Sequence, residues 1–147
     1  MQNIETHHDL THTITVDRSP DQVFAAINDV RGWWTGDITG ASEKLGDEFA
    51  YRYGDVHYSK QRVVESVPGQ KVVWLVVDSK LSFIADKTEW NGTKVVFEIA
   101  KQGAKTQLRF THVGLTRGAQ CFTDCFDAWG SYVNGSLRRL IETGSKH

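Results

Sequence analysis

GTKVVFEIAKQGAKTQLRFTH, residues Gly92 to His112, decides the fold. Thr93 to Lys101 and Lys105 to Val113 read as two strands, and Gln102-Gly103-Ala104 between them is a short glycine-containing hairpin connection. The chain then enters one long amphipathic helix that ends near Ile141. Phe122, Phe126, Trp129, Val133, Leu137 and Leu140 recur along it at steps of four, three, four, four and three. That is one apolar stripe of helical period. A stripe of this length needs a broad apolar partner, and the sheet that precedes it is the only candidate. The expectation is an α+β fold: a curved antiparallel sheet closed by a C-terminal helix.

The rest of the chain supplies the sheet. Thr11 to Val16 alternates and is rich in Thr, Ile and Val, so it reads as a strand. Ser19-Pro20-Asp21-Gln22 reads as a capping box with proline at the first helical position. The helix it starts carries Val23, Phe24 and Ile27 inward, and Val30 to Trp34 forms a second short helical turn. Residues 35 to 47, with Gly36, Gly40 and Gly46, read as a loop. Glu48 to Tyr53 alternates strictly, with Phe49, Tyr51 and Tyr53 on one face. His57 to Val67 is a longer strand whose inward parity is open, because Val63 and Val64 are adjacent. Gln70 to Asp78 is apolar on both faces, as in a central strand. Ser79 to Asn91 is either an irregular loop or a strand extension. The order is one strand, two short helices, five strands and a long helix, so about six strands are expected, in a single domain spanning 1–147 with its core at about 11–141.

Composition sets limits. Of 147 residues, 39% are hydrophobic and 11% aromatic, with five Trp and seven Phe, more than a minimal core requires. The net charge of -1 argues against a nucleic-acid partner, which would need a clustered basic excess. No apolar run approaches the length of a membrane span. The polar start, Met1 to Leu10, does not read as a signal peptide, and the cytoplasm is the expected compartment. Cys121 and Cys125 are four apart on the long helix and read as two small thiols rather than a bridged pair. His7, His8 and His12 lie near a terminus and read as exposed side chains, not a metal site. Asp124 and Asp127, with Asp86 and Glu89, read as a solvated face. Phosphate-loop, dinucleotide-binding and common hydrolase motifs do not occur. No cofactor, metal or catalytic set is expected.

Taken together, several short motifs carry a resemblance. Ser-Pro-x-x-Val-Phe (Ser19 to Phe24), the following Trp pair, Val-Pro-Gly (Val67 to Gly69), Thr-His-x-Gly-Leu (Thr111 to Leu115) and Trp129 resemble the START-like (SRPBCC, helix-grip) superfamily. Within it the chain is similar to bacterial homologues of the activator of the heat shock protein 90 ATPase. The resemblance implies a bent sheet wrapped around the C-terminal helix, and a cavity between the two that accepts a hydrophobic small molecule. The eukaryotic activator has two domains where one is read here. No polar set of the kind used by superfamily members that cyclise or dehydrate polyketides is identifiable.

Within that frame the expected ligand-binding residues are Trp34, Phe49, Tyr51, Tyr53, Trp74, Phe97, Phe110, His112, Phe126 and Trp129. The same aromatic set also reads as a filled core, since periodicity does not separate a hole from a packed interior. His112 shares the inward parity of Leu108 and Phe110. It reads either as a polar handle or general base, or as a buried histidine bonded to its surroundings. Three functions follow. The first is binding of a small hydrophobic molecule, lipid-like or an aromatic or polyketide compound. The second is a chaperone-associated interaction. The third, ranked last, is a cyclase- or dehydratase-like enzyme. The protein is expected as a monomer or homodimer. Residues 35 to 47 and 79 to 91 are the expected lids, as the longest irregular segments.

Overall fold

A computed structural model describes residues 9–34, 36–85, 87–116, 119 and 122–144. Its strands are β1 (Asp9–Val16), β2 (Asp37–Gly40), β3 (Glu48–Tyr53), β4 (His57–Val67), β5 (Lys71–Leu81), β6 (Lys94–Gln102) and β7 (Lys105–Thr116). They form one antiparallel sheet in the order β1-β7-β6-β5-β4-β3-β2. Two short helices follow β1: α1 (Pro20–Asn28) and α2 (Val30–Trp33). The C-terminal helix runs as α3 (Phe122–Gly130), a π-helical segment (Ser131–Leu137) and α4 (Arg138–Thr143). This is the helix-grip arrangement. β5, apolar on both faces, is the middle strand of the seven.

The sheet has one strand more than the sequence suggests. Residues 35 to 47, expected as a loop, contain β2, which pairs with β3 through Ile38 and Tyr51. Four residues rich in turn formers carry no strand signature. Their pairing is set by β3 beside them and by Arg31 of α2, which donates to the carbonyls of Ile38 and Gly40. Gly40 is required there: its φ is +94°, and a Cβ would overlap the Glu48 carbonyl.

The capping box is present as read. The Ser19 side chain accepts from the Gln22 backbone, and the Gln22 side chain accepts from the Ser19 backbone. Trp33 of α2 is fully buried and donates Nε1–H to the Ile27 carbonyl at 3.3 Å, which fixes α2 against α1. Through this turn the chain delivers Trp33 and Trp34 under the long helix.

That helix departs from a simple α-helical stripe. Cys125, Trp129, Val133, Leu137, Leu140 and Ile141 are buried, whereas Phe126 is 39% exposed and Phe122 partly buried. A repeat of four in an α-helix rotates by about 40° per step. The wider turn of the π-helical segment reduces that drift, so Trp129, Val133 and Leu137 all face the sheet. Cys125, four before Trp129, takes the inward position that the sequence assigns to Phe126. Phe126 instead packs on His12 of the edge strand β1, with ring centroids 4.2 Å apart. The expectation of two free thiols is also overturned: Cys125 is disulfide-bonded, while Cys121 lies outside the described residues.

Close approach of α2 to α4 depends on Gly32. A Cβ there would stand 2.7 Å from Asp29 Oδ2 and 2.9 Å from Leu140 Cδ2. Gly32→Ala is expected to lower stability by about 1–3 kcal/mol, the usual cost of overpacking. Urea unfolding checks this, and an unchanged or raised midpoint would show that α4 docks without this contact.

Candidate functional site

A cavity of about 580 Å³ opens between the sheet and the C-terminal helix. Its wall is mostly aromatic and comes from five parts of the chain. Trp34 follows α2. Tyr51 and Tyr53 come from β3, and Val56 and His57 from the β3–β4 turn and the start of β4. Phe83 and Trp90 come from the β5–β6 loop. Asp124, Cys125, Ala128, Trp129, Ser131 and Tyr132 come from the helix.

The back of the cavity is a set of interlocked rings. Trp90 stacks on Trp129, with centroids 5.8 Å and planes 11° apart. Trp34 stacks on Tyr132 at 6.0 Å and meets Tyr51 edge-on at 4.8 Å. The Tyr51 and Tyr132 hydroxyls are 3.0 Å apart and tie the sheet to the helix at the cavity wall. The front is different. Tyr53, Val56 and Phe83 are 55%, 48% and 41% exposed, and all three line the opening. Ser82 binds the two rim loops together, donating from its backbone to the Val56 carbonyl and from its hydroxyl to that of Asp55.

His112 lies behind this wall, fully buried. Trp129 donates Nε1–H to His112 Nδ1 at 3.2 Å. With Nδ1 accepting, the proton of the neutral ring is on Nε2, which donates to Thr93 Oγ1 at 2.8 Å. Thr93 passes its own hydrogen to the Trp90 carbonyl at 2.6 Å. Every polar atom in this chain has a partner. Burial, reinforced by His57 nearby, pushes the His112 imidazole down to about 3. Of the two readings of His112, the structure contains the bonded, buried one: neither nitrogen is available to a ligand.

His57 is the titratable group at the cavity itself. Its ring lies 5.2 Å from Tyr51 and 4.8 Å from Trp90. Nε2 is 3.1 Å from Ser59 Oγ, which accepts from Gln61 Nε2 at 2.7 Å. Burial among the aromatic rings lowers its imidazole to about 4. At neutral pH both histidines are uncharged.

Comparison with known proteins fits this architecture. The family described as Activator of Hsp90 ATPase homolog 1-like protein matches residues 17–142. The chain belongs to that family. Among solved structures it is similar to an Aha1 from Colwellia psychrerythraea, solved as a dimer in solution, with a TM-score of 0.74 and 23% identity. That match covers 92% of this chain and 97% of the other. CalU16 from Micromonospora echinospora aligns with a TM-score of 0.67 and 16% identity, over 93% of this chain and 75% of that one. Mll3558 from Rhizobium loti aligns at 0.69 and 19%, over 87% and 92%. At these identities the likeness is one of fold. The comparison with curated proteins gives no match. The family and the sheet-and-helix grip agree with the resemblance read from the sequence.

The ten expected residues divide by position. Trp34, Tyr51, Tyr53 and Trp129 line the cavity. Phe49, Trp74, Phe97, Phe110 and His112 are packed in the core beneath it. Phe126 lies in a separate groove with Asp9, Thr11, Glu98, Arg109, Thr111 and Phe122. Inward parity explains the division, because it selects residues that face the helix without saying how deep they sit. The wall residues missing from that set include His57, Phe83, Trp90 and Tyr132. Tyr132 follows Trp129 by three, so helical spacing alone places it beside Trp129. His57 required the parity of β4, which the structure gives through buried Ser59, Gln61 and Val63. Of the two expected lids, residues 79 to 91 supply Phe83 and Trp90, while residues 35 to 47 supply no lining side chain among the described residues. Among the described residues no group of three or more metal-ligating side chains converges; His7, His8 and Asp86 lie outside them. No helix among the described residues is long and apolar enough to cross a membrane.

The two depressed imidazoles set a pH dependence. Each is neutral when folded and binds a proton near 6.5 when unfolded, so the unfolded state gains protons first as pH falls. The stability they support is complete above about 6.5, declines as pH falls, and is lost by about 4 for His57 and about 3 for His112. The expected slope is about 1.4 kcal/mol per pH unit for each histidine in that window. Denaturation from pH 7 to 4.5 checks it, and His57→Gln is expected to make the slope shallower. A flat profile would show that neither ring is desolvated.

Proposed function

We propose that this protein binds a small hydrophobic ligand in the cavity between β-sheet and C-terminal helix. One observation carries the reading: an open cavity of about 580 Å³ whose wall is built mainly of aromatic rings. Small-molecule sites have volumes of about 300–1,000 Å³ and an apolar wall with a few polar groups. The ring contacts at the back of the cavity pre-form the wall, so little ordering is needed on binding. The exposed rim of Tyr53, Val56 and Phe83 gives an apolar ligand a continuous path from surface to interior.

The family match favours a second reading, an interaction with a chaperone of the heat shock protein 90 class. The two readings separate on ATPase activity. Under the first, adding the protein to a bacterial chaperone of that class leaves its ATPase rate unchanged. A stimulated rate would support the second. For the cyclase-like reading, His112 is no longer an acid–base residue, since both of its nitrogens are bonded within the core.

A panel of polycyclic aromatics, sterols and fatty acids, followed by thermal unfolding and quenching of tryptophan fluorescence, tests the ligand reading. At a hundredfold excess over Kd a ligand stabilises by about 2.7 kcal/mol, which for a chain of this size raises Tm by roughly 5–10 °C. Ala128 is exposed on the helix and lines the opening. Ala128→Trp is expected to keep the fold and abolish the shift. Binding that survives this block would place the ligand elsewhere.

A further inference from the structure

We propose that the cavity selects a neutral, flat aromatic ligand bearing a carbonyl-type acceptor oxygen, which His57 recognises by donating from Nδ1. This rests on the ligand-binding reading above and narrows it to a chemical class.

The direction of hydrogen bonding along β4 assigns the donor. Ser59 and Gln61 are fully buried. Gln61 Nε2 donates to Ser59 Oγ, so the serine oxygen already accepts one hydrogen. Its own hydrogen has one acceptor within reach among the described residues, His57 Nε2 at 3.1 Å. A buried hydroxyl hydrogen left unbonded costs about 1–3 kcal/mol. With the Gln61 amide in this orientation, which leaves its buried Oε1 without a partner among the described residues, Ser59 donates to His57 Nε2 and the imidazole proton is on Nδ1. Nδ1 has no partner among the described residues, and His57 is part of the cavity wall.

Neighbouring rings frame this donor. Trp34, also in the wall, contributes its ring, because its indole Nε1–H is covered by neighbouring atoms. The Tyr51 ring lies 4.8 Å from the Trp34 ring and 5.2 Å from the His57 ring. His57 Nδ1–H is therefore a ring donor at the aromatic part of the wall, and a ligand acceptor oxygen is its complement.

Charge excludes the anionic alternative. Among the described lining residues there is no Lys or Arg. Asp124 is the one carboxylate, and burial keeps His57 uncharged near neutrality. A fatty-acid carboxylate entering this wall would lose its hydration without gaining a counter-charge. A ketone oxygen carries no such cost. The ring-lined walls suit a planar ring system, which stacks at low conformational cost.

Fluorene, 9-fluorenone and fluorene-9-carboxylic acid share one ring skeleton and differ in the group tested. Titrated against the full chain by tryptophan quenching at pH 7.5, 9-fluorenone is expected to bind about tenfold tighter than fluorene, the worth of one well-made buried hydrogen bond. The carboxylate is expected to bind weakest. His57→Phe keeps a ring at the position and is expected to reduce the ketone preference while fluorene affinity changes little. Ser59→Ala leaves His57 in place but frees its tautomer, so the preference shrinks. Nitrogen-15 shifts of the free protein are expected to show His57 protonated on Nδ1. Equal binding of fluorene and 9-fluorenone would overturn this inference while leaving the cavity reading intact. Tightest binding of the carboxylate, or an Nε2-protonated His57, would also overturn it. Failure of all three compounds to bind would overturn this inference, and the ligand-binding reading falls with it only if the sterols and fatty acids of the wider panel also fail.

Discussion

Trp129 reaches from the C-terminal helix into the sheet and donates its indole N–H to His112, which in turn is bonded through Thr93 to the Trp90 carbonyl. This chain joins three elements that the sequence keeps apart: the helix, β7 and the loop before β6. Water is excluded from it, so each member depends on the next for its hydrogen bond. Removing one leaves a buried polar atom without a partner. The bond to His112 fixes the Trp129 indole, and its face stacks on the Trp90 ring at the back wall of the cavity. A polar network hidden in the core therefore gives an apolar site its shape.

The cavity has a rigid back and a softer front. Behind it, Trp33, Trp74, Phe97 and Phe110 fill the space under the sheet with side chains that are fully buried. In front, the rim is made of partly exposed apolar residues on two short loops tied by Ser82. Exposed apolar side chains that cluster around an opening differ from ones scattered over a surface, because together they offer a contact area. The π-helical segment contributes to the same division. It begins just after Trp129 and carries Tyr132 into the wall while keeping Val133 and Leu137 in the core. Wider helical turns of this kind are frequent at functional sites.

Much of the architecture is legible in the chain. The capping box, the paired tryptophans, the hairpin at Gly103 and the apolar stripe each follow from local chemistry that does not depend on distant residues. Other features were not legible for identifiable reasons. β2 is four residues long, and its pairing comes from β3 rather than from its own pattern. Phe126 satisfies the period of the stripe but loses the inward position to Cys125, because the helix changes pitch after Gly130. Phe49, Trp74, Phe97 and Phe110 share the inward parity of the cavity residues yet sit one layer deeper. Parity reports a direction, and depth depends on what the opposite element brings.

The sequence by itself determined the fold class, the order of elements, the helix that closes the sheet and the family. These rest on periodicity and on motifs read over short windows, where neighbours in the chain are neighbours in space. Tertiary structure alone decided that the aromatic excess lines a cavity as well as filling a core. It also decided that His112 is bonded within the interior, and that His57 rather than His112 stands at the cavity wall. Each of these depends on residues brought together from far apart in the chain: Trp129 with His112, Tyr51 with Tyr132, Trp34 with Tyr51. The shape of a hole is set by where packing stops, and that is a property of the assembled elements, not of any one of them.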